Sequence, residues 1–274
     1  MSKKLSRNPF KRRPVSKMLP AIGLSVLAVA TAAVVAVAVM PSPGERGAAA
    51  YVTPSSQSAS KAATPTTTPT PAPLKIKLPA NPSVLIVGDS YTEGVGADST
   101  DQGWAHVAGT ELNLNPVIDG VRGTGFAWGG GADNSEGRQY SVRLREIADA
   151  QTITPDVLVL QGGQNDTLLK NNPEVTKAVT STVSEAKKLW PNVQIVIMGP
   201  SAPEPLAATI SGASDTVRDG ANTAQVPYID AAGEHWFTGQ NSQSFYADGS
   251  HVNNEGHHLI ADKFAAHWRE LTKP

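Results

Sequence analysis

Ser90, His251 and Asp248 are the residues whose types and spacing could do chemistry in this chain. A serine hydroxyl is a poor nucleophile until a base removes its proton. Ser90 follows the apolar run Val84–Val87 and the small-residue turn Gly88-Asp89, so a buried strand would deliver it. His251 is the candidate base. Asp248 lies three residues earlier, close enough for its carboxylate to bond the imidazole Nδ1 and set the tautomer. Attack on an ester would create an oxyanion, which needs preorganised donors. The backbone N–H of Ser90, the backbone N–H of Gly123 and the side-chain amide of Asn165 are available for it.

These groups fall in four polar or glycine-rich interruptions: Gly88-Asp89-Ser90, Gly120–Gly125, Gly162–Asp166 and Asp248-Gly249-Ser250-His251. The first three follow predicted strands, so they could gather at one edge of a sheet. Apolar runs predict strands over Val84–Val87, Asn115–Asp119, Asp156–Gln161, Val193–Met198 and Tyr228–Asp230. Helical spacing of apolar residues predicts helices over Gly103–Asn113, Ser141–Ala150, Pro173–Leu189, Ser211–Gln225 and Asn254–Glu270. Such alternation implies an α/β fold, a three-layer α/β/α sandwich around a parallel sheet of about five strands with right-handed crossovers. Strand order stays open. In sheets of this kind ligands bind outside the carboxyl ends of the strands.

Several other residues have structural readings. Asp89 and Asp166 can cap helices or hold loops. His257 and His258 read as surface or packing residues, and His106 and His235 as structural or rim residues. Phe126, Trp128, His235, Trp236, Phe237, Phe245 and Tyr246 could border a cleft and stack on a sugar or seat a short acyl chain, or could simply pack loops. The His and Asp residues lack a recurrent ligand spacing and there is no cysteine, so no metal, cofactor or disulfide is expected.

No GxSxG elbow surrounds Ser90, which argues against a classical α/β-hydrolase. The four blocks GDSYTEG, GVRGTG, GGQND and DGSH followed by NNEGHHLIADK instead resemble the SGNH/GDSL hydrolases over Ser83–Glu270. Val252 departs from the proline that family often has after its histidine. The resemblance implies the flavodoxin-like SGNH fold, Ser90 as nucleophile, Asp248 and His251 as triad partners, and an oxyanion hole of Ser90, Gly123 and Asn165. It implies a serine esterase acting on esters of small molecules or polysaccharide, without a cofactor, and the lack of a visible long apolar lid segment favours short acyl esters. An O-acyltransferase or deacetylase of envelope polysaccharide shares that chemistry, and a non-catalytic envelope-binding protein remains an alternative.

The chain ahead of these blocks reads as delivery. Seven of the 23 Lys and Arg residues lie in residues 1–17, and Leu19–Met40 carries no charge over 22 residues. A basic tip (1–17) before an apolar run (18–40) predicts a signal anchor or signal peptide with the remainder exported. Residues 41–82, rich in Thr, Ser and Pro, predict a disordered linker, leaving a catalytic domain over 83–274. Beyond the tip, 16 basic residues face 24 acidic ones, a net charge of about −8, which argues against a nucleic-acid partner. The expectation is therefore a monomer held to the cell membrane by its N-terminal helix with an extracytoplasmic domain, or secreted if the N-terminal segment is cleaved.

Overall fold

The computed structural model describes residues 74–131, 137–169, 172–237, 239 and 242–274. The chain divides into two units, Met1–Thr66 and Thr67–Pro274, and every described residue belongs to the second. The predicted basic tip, the apolar run 18–40 and most of the linker lie outside the described residues. Among the described residues no helix is long and apolar enough to cross a membrane.

Runs of Val, Leu and Ile become five strands: β1 (Val84–Gly88), β2 (Val117–Gly120), β3 (Val157–Gln161), β4 (Gln194–Met198) and β5 (Tyr228–Ile229). Every pairing is parallel, in the order β2-β1-β3-β4-β5. Ile86 lies opposite Ile118 on one side and Val159 on the other. The helices are α1 (Ser90–Glu93), α2 (Trp104–Glu111), α3 (Tyr140–Asp149), α4 (Asn172–Leu189), α5 (Leu206–Ala224) and α6 (Asn254–Leu271). This order settles what the sequence left open. The chain leaves β1 toward β2, then returns to β3 on the other side, so a crevice opens at the carboxyl ends of β1 and β3.

Both central strands are buried at every position, and their side chains alternate between two cores. Val84, Ile86, Val157, Val159, Val196 and Met198 pack with Trp104 and Ala108 of α2 and Phe264 and Trp268 of α6. Leu85, Val87, Leu158, Leu160, Ile195 and Ile197 pack with Leu144 of α3, Val179 and Val183 of α4 and Val217 of α5. These two cores make the predicted three layers.

Two segments differ from the sequence reading. The helix expected to start at Ser211 starts at Leu206, because Leu206, Ala207 and Ala208 favour helix. Residues 74–82, assigned to the linker, lie on the folded unit. Ile76 is buried in the α2–α6 core, its N–H donates to Leu271 O at 3.0 Å, and the Lys77 N–H donates to the Gln194 side chain at 2.6 Å. The signal was present but short: Leu74, Ile76 and Leu78 alternate with Lys75 and Lys77, and Leu78 packs beside Ile76 on the same core.

Leu158 is fully buried at the centre of the sheet. Leu158→Ala is expected to lower the unfolding free energy by about 2–5 kcal/mol, read from chemical denaturation.

Candidate active site

The crevice begins where β1 ends. Asp89, fully buried, caps α1 by accepting the Tyr91 N–H at 2.9 Å. The Gln161 amide, at the end of β3, donates to Thr92 Oγ1 at 2.6 Å and to Asp89 Oδ1 at 3.1 Å. Asp89, Thr92 and Gln161 thus bind one another across the switch point. Ser90 is the first residue of α1 and is 7% exposed. Its N–H belongs to the group that helix geometry leaves without an intrahelical partner. Among the described residues, neither that N–H nor Ser90 Oγ makes a hydrogen bond.

The histidine comes from the turn before α6. His251 Nδ1 lies 2.8 Å from Asp248 Oδ2, while Asp248 Oδ1 accepts the backbone N–H groups of Ser250 (2.9 Å) and His251 (2.8 Å). The carboxylate therefore fixes both the ring and the turn carrying it. The hydrogen bond from His251, joined by those N–H groups, outweighs partial burial and lowers the Asp248 pKa to about 2. His251 Nε2 has no partner among the described residues. Tyr91, next to Ser90, bridges to this turn. Its hydroxyl donates to Ser250 O at 3.0 Å and its ring centroid lies 6.1 Å from that of His251. Gly96, at φ +93°, follows α1 so closely that a Cβ there would lie 2.3 Å from Val252 O and 3.2 Å from His251 Cβ. Val252, the departure from the family pattern, is fully buried and pairs with Tyr246 in an antiparallel bridge.

Gly123 and Asn165 come from the loops after β2 and β3. Gly123 has φ +74° with open space where a side chain would be, and its N–H donates to no described residue. Asn165 spends one amide hydrogen on Thr124 O at 2.8 Å, leaving the second free. Asp166 accepts the N–H groups of Phe126 (3.0 Å), Ala127 (2.8 Å) and Trp128 (2.9 Å), so it holds the loop as the sequence reading had it.

Sequence reasoning missed Arg143. Its guanidinium is 1% exposed and donates to Gly88 O, Asp119 and Thr124 Oγ1, tying together the ends of β1 and β2 and the loop after β2. A signal existed: Arg143 falls at helical spacing between Tyr140 and Ile147, on the apolar face of α3. His257 is fully buried, accepting the Trp104 N–H at 3.3 Å and donating to Val95 O at 3.1 Å, which makes it a packing residue. Of the aromatic residues suggested for the cleft, Phe126, Trp236 and Phe237 are buried in the cores. Loop origin did not place them at the surface, because burial of apolar area outweighed it. Among the described residues no group of three His, Cys, Asp or Glu side chains is placed to hold a metal.

Burial raises the Asp89 pKa from about 3.8 to about 7, against the hydrogen bonds from Tyr91 and Gln161 and with a contribution from nearby Asp166. The folded state thus keeps a proton that the unfolded chain has released, so this group lowers stability as pH rises between about 4 and 7. Asp89→Asn keeps a capping oxygen and is expected to flatten that decline in urea denaturation across the same range. An unchanged slope would assign the decline to another group.

The fold has known counterparts. A GDSL lipase of Mycobacterium tuberculosis is 27% identical over 199 residues, covering 68% of this chain and 80% of the relative. An active-site mutant of a family two carbohydrate esterase from Clostridium thermocellum shares 16% identity at a TM-score of 0.53, over 73% of this chain and 65% of that one. A carbohydrate acetylesterase family member from Sinorhizobium meliloti shares 17% identity at a TM-score of 0.51, over 69% of this chain and 98% of that one. The model of the GDSL-like lipase/acylhydrolase family matches residues 86–259, which include Ser90, Gly123, Asn165, Asp248 and His251. The chain therefore belongs to the GDSL-like lipase/acylhydrolase family and is an ester hydrolase.

Proposed function

We propose that this protein hydrolyses short-chain carboxylic esters through an acyl-serine intermediate, outside the cytoplasm. In this reading Ser90 Oγ attacks the ester carbonyl as His251 Nε2 takes its proton. Asp248 holds the imidazole by its Nδ1 and keeps Nε2 turned outward to take the proton. The carbonyl electrons move onto oxygen, where the N–H groups of Ser90 and Gly123 and the free amide hydrogen of Asn165 receive them. Collapse of that intermediate breaks the bond to the alcohol, which leaves with the proton from His251. A water molecule, deprotonated by the same imidazole, then releases the acid and restores Ser90.

One observation carries the reading. The groups this chemistry consumes are those left without partners among the described residues: Ser90 Oγ and N–H, Gly123 N–H, one Asn165 hydrogen and His251 Nε2. All of these except the Ser90 groups belong to half-exposed residues, so they stand open to an incoming substrate.

For the substrate, a short acyl group is favoured because no long apolar lid is evident in the sequence. An ester on envelope carbohydrate fits the likeness in fold to a family two carbohydrate esterase and a carbohydrate acetylesterase family member and an exported domain. Export rests on the basic tip and the uncharged run of residues 18–40.

Ser90→Ala is expected to abolish turnover of p-nitrophenyl acetate while circular dichroism stays unchanged; retained turnover would end the reading. Asn165→Ala is expected to raise the barrier by about 3 kcal/mol, read as a loss in kcat of about 10²–10³-fold. A series of p-nitrophenyl esters, then acetylated glycans with and without a sugar acceptor, tests acyl length and separates hydrolysis from acyl transfer. A preference for long chains would overturn the substrate assignment.

A further inference from the structure

Arg143 has a role beyond filling a place in α3. We propose that it is a positioning residue that holds the oxyanion donors of Ser90 and Gly123 in mutual register; the proposal rests on the catalytic roles given to those two residues above.

Its contacts reach the parts that bear the donors. One nitrogen, Nη1, donates to Gly88 O at 2.9 Å, two residues before Ser90, and to Thr124 Oγ1 at 3.0 Å, one residue after Gly123. Nε donates to Asp119 Oδ2 at 3.0 Å, and Nη2 reaches the same carboxylate at 2.9 Å and the Asp119 backbone oxygen. Thr124 passes the constraint on. Its hydroxyl donates to Val121 O at 2.7 Å and its carbonyl accepts Asn165 Nδ2 at 2.8 Å. The three donors are therefore joined through one rigid, planar group whose N–H directions are fixed relative to one another.

A purely structural explanation fits less well. Arg143 is the only Lys or Arg that is fully buried among the described residues. A buried ion pair is weak evidence for stability, since well-packed apolar residues of similar volume often serve as well. The neighbours of Arg143 on this face, Tyr140 and Leu144, are already packed core residues. What an apolar residue could not do is fix two carbonyls, a carboxylate and a hydroxyl at set distances.

The test compares the intact chain with Arg143→Lys and Thr124→Val. Fluorophosphonate labelling counts competent sites at its end point and reports the labelling rate; p-nitrophenyl acetate turnover gives kcat and KM. A lysine keeps the charge but cannot span the four acceptors. Arg143→Lys is expected to label to full stoichiometry but more slowly, with kcat per labelled site about 10–100-fold lower and KM within about two-fold. Its loss should combine less than multiplicatively with that of Asn165→Ala. Thr124→Val removes the Arg143 contact on the Gly123 side together with the hydroxyl's bond to Val121 O, while leaving Arg143 bound to Gly88 and Asp119, and a kcat about 3–10-fold lower is expected. This variant decides the matter if Arg143→Lys does not fold. A kcat per labelled site within about two-fold of the parent in whichever of these variants folds would overturn the proposal. If the parent turns over ester but is not labelled at Ser90, the catalytic reading falls and takes the proposal with it. A labelled parent with an indifferent variant removes the proposal alone.

Discussion

A protein that keeps hydrogen-bond donors empty in a half-buried crevice must satisfy everything around them first. That constraint governs the carboxyl edge of this sheet. The N–H groups of Ser90 and Gly123 can stay open because the polar groups beneath them are committed elsewhere. Asp89 is bound by the Tyr91 N–H and Gln161, Asp166 by three consecutive N–H groups, and the Arg143 guanidinium by four oxygens on three segments. A polar cluster of this kind holds its geometry only when every member is satisfied, since one unpaired group at low dielectric is costly. The two buried carboxylates repel each other, and Arg143 is the buried cation between the layers that offsets this.

The two halves of the site are built differently. The half that carries Ser90 is deep, resting on β1, β3 and a network with sequence separations of tens of residues. The histidine's half is local and more exposed: Asp248, Ser250 and His251 form one turn, tied by the Tyr246–Val252 bridge and by Asn253 capping α6. Tyr91 and the close approach at Gly96 join the halves. Val252 belongs to this joint. Its side chain is buried in the α2–α6 core while its carbonyl faces Gly96, so an apolar β-branched residue meets the demand for a packed anchor beside His251.

The strands and most helices were legible because their signals are local. β1 and β3 are unbroken apolar runs, and α2, α4 and α6 carry apolar faces at helical spacing, so periodicity alone finds them within a residue or two. The Asp248–His251 pair was legible for the same reason, three residues within one turn. The docking of residues 74–82 was not read, because the short alternation Leu74-Lys75-Ile76-Lys77-Leu78 sits at the end of a Pro- and Thr-rich stretch whose composition dominated the reading. Among the loop aromatic residues, Phe126, Trp236 and Phe237 took the packing alternative, since a loop position does not say which way a side chain points.

By itself the sequence determined the element types, the α/β class and the chemical nature of Ser90, His251, Asp248, Gly123 and Asn165, because residue type and near-neighbour spacing decide those. Only the tertiary structure decided the strand order, and with it the crevice between β1 and β3. It also decided which donors stay unpaired and that Arg143 is buried where three segments meet. Those outcomes depend on contacts between residues far apart in the chain, where packing and the pairing of buried polar groups, rather than local propensity, choose the arrangement.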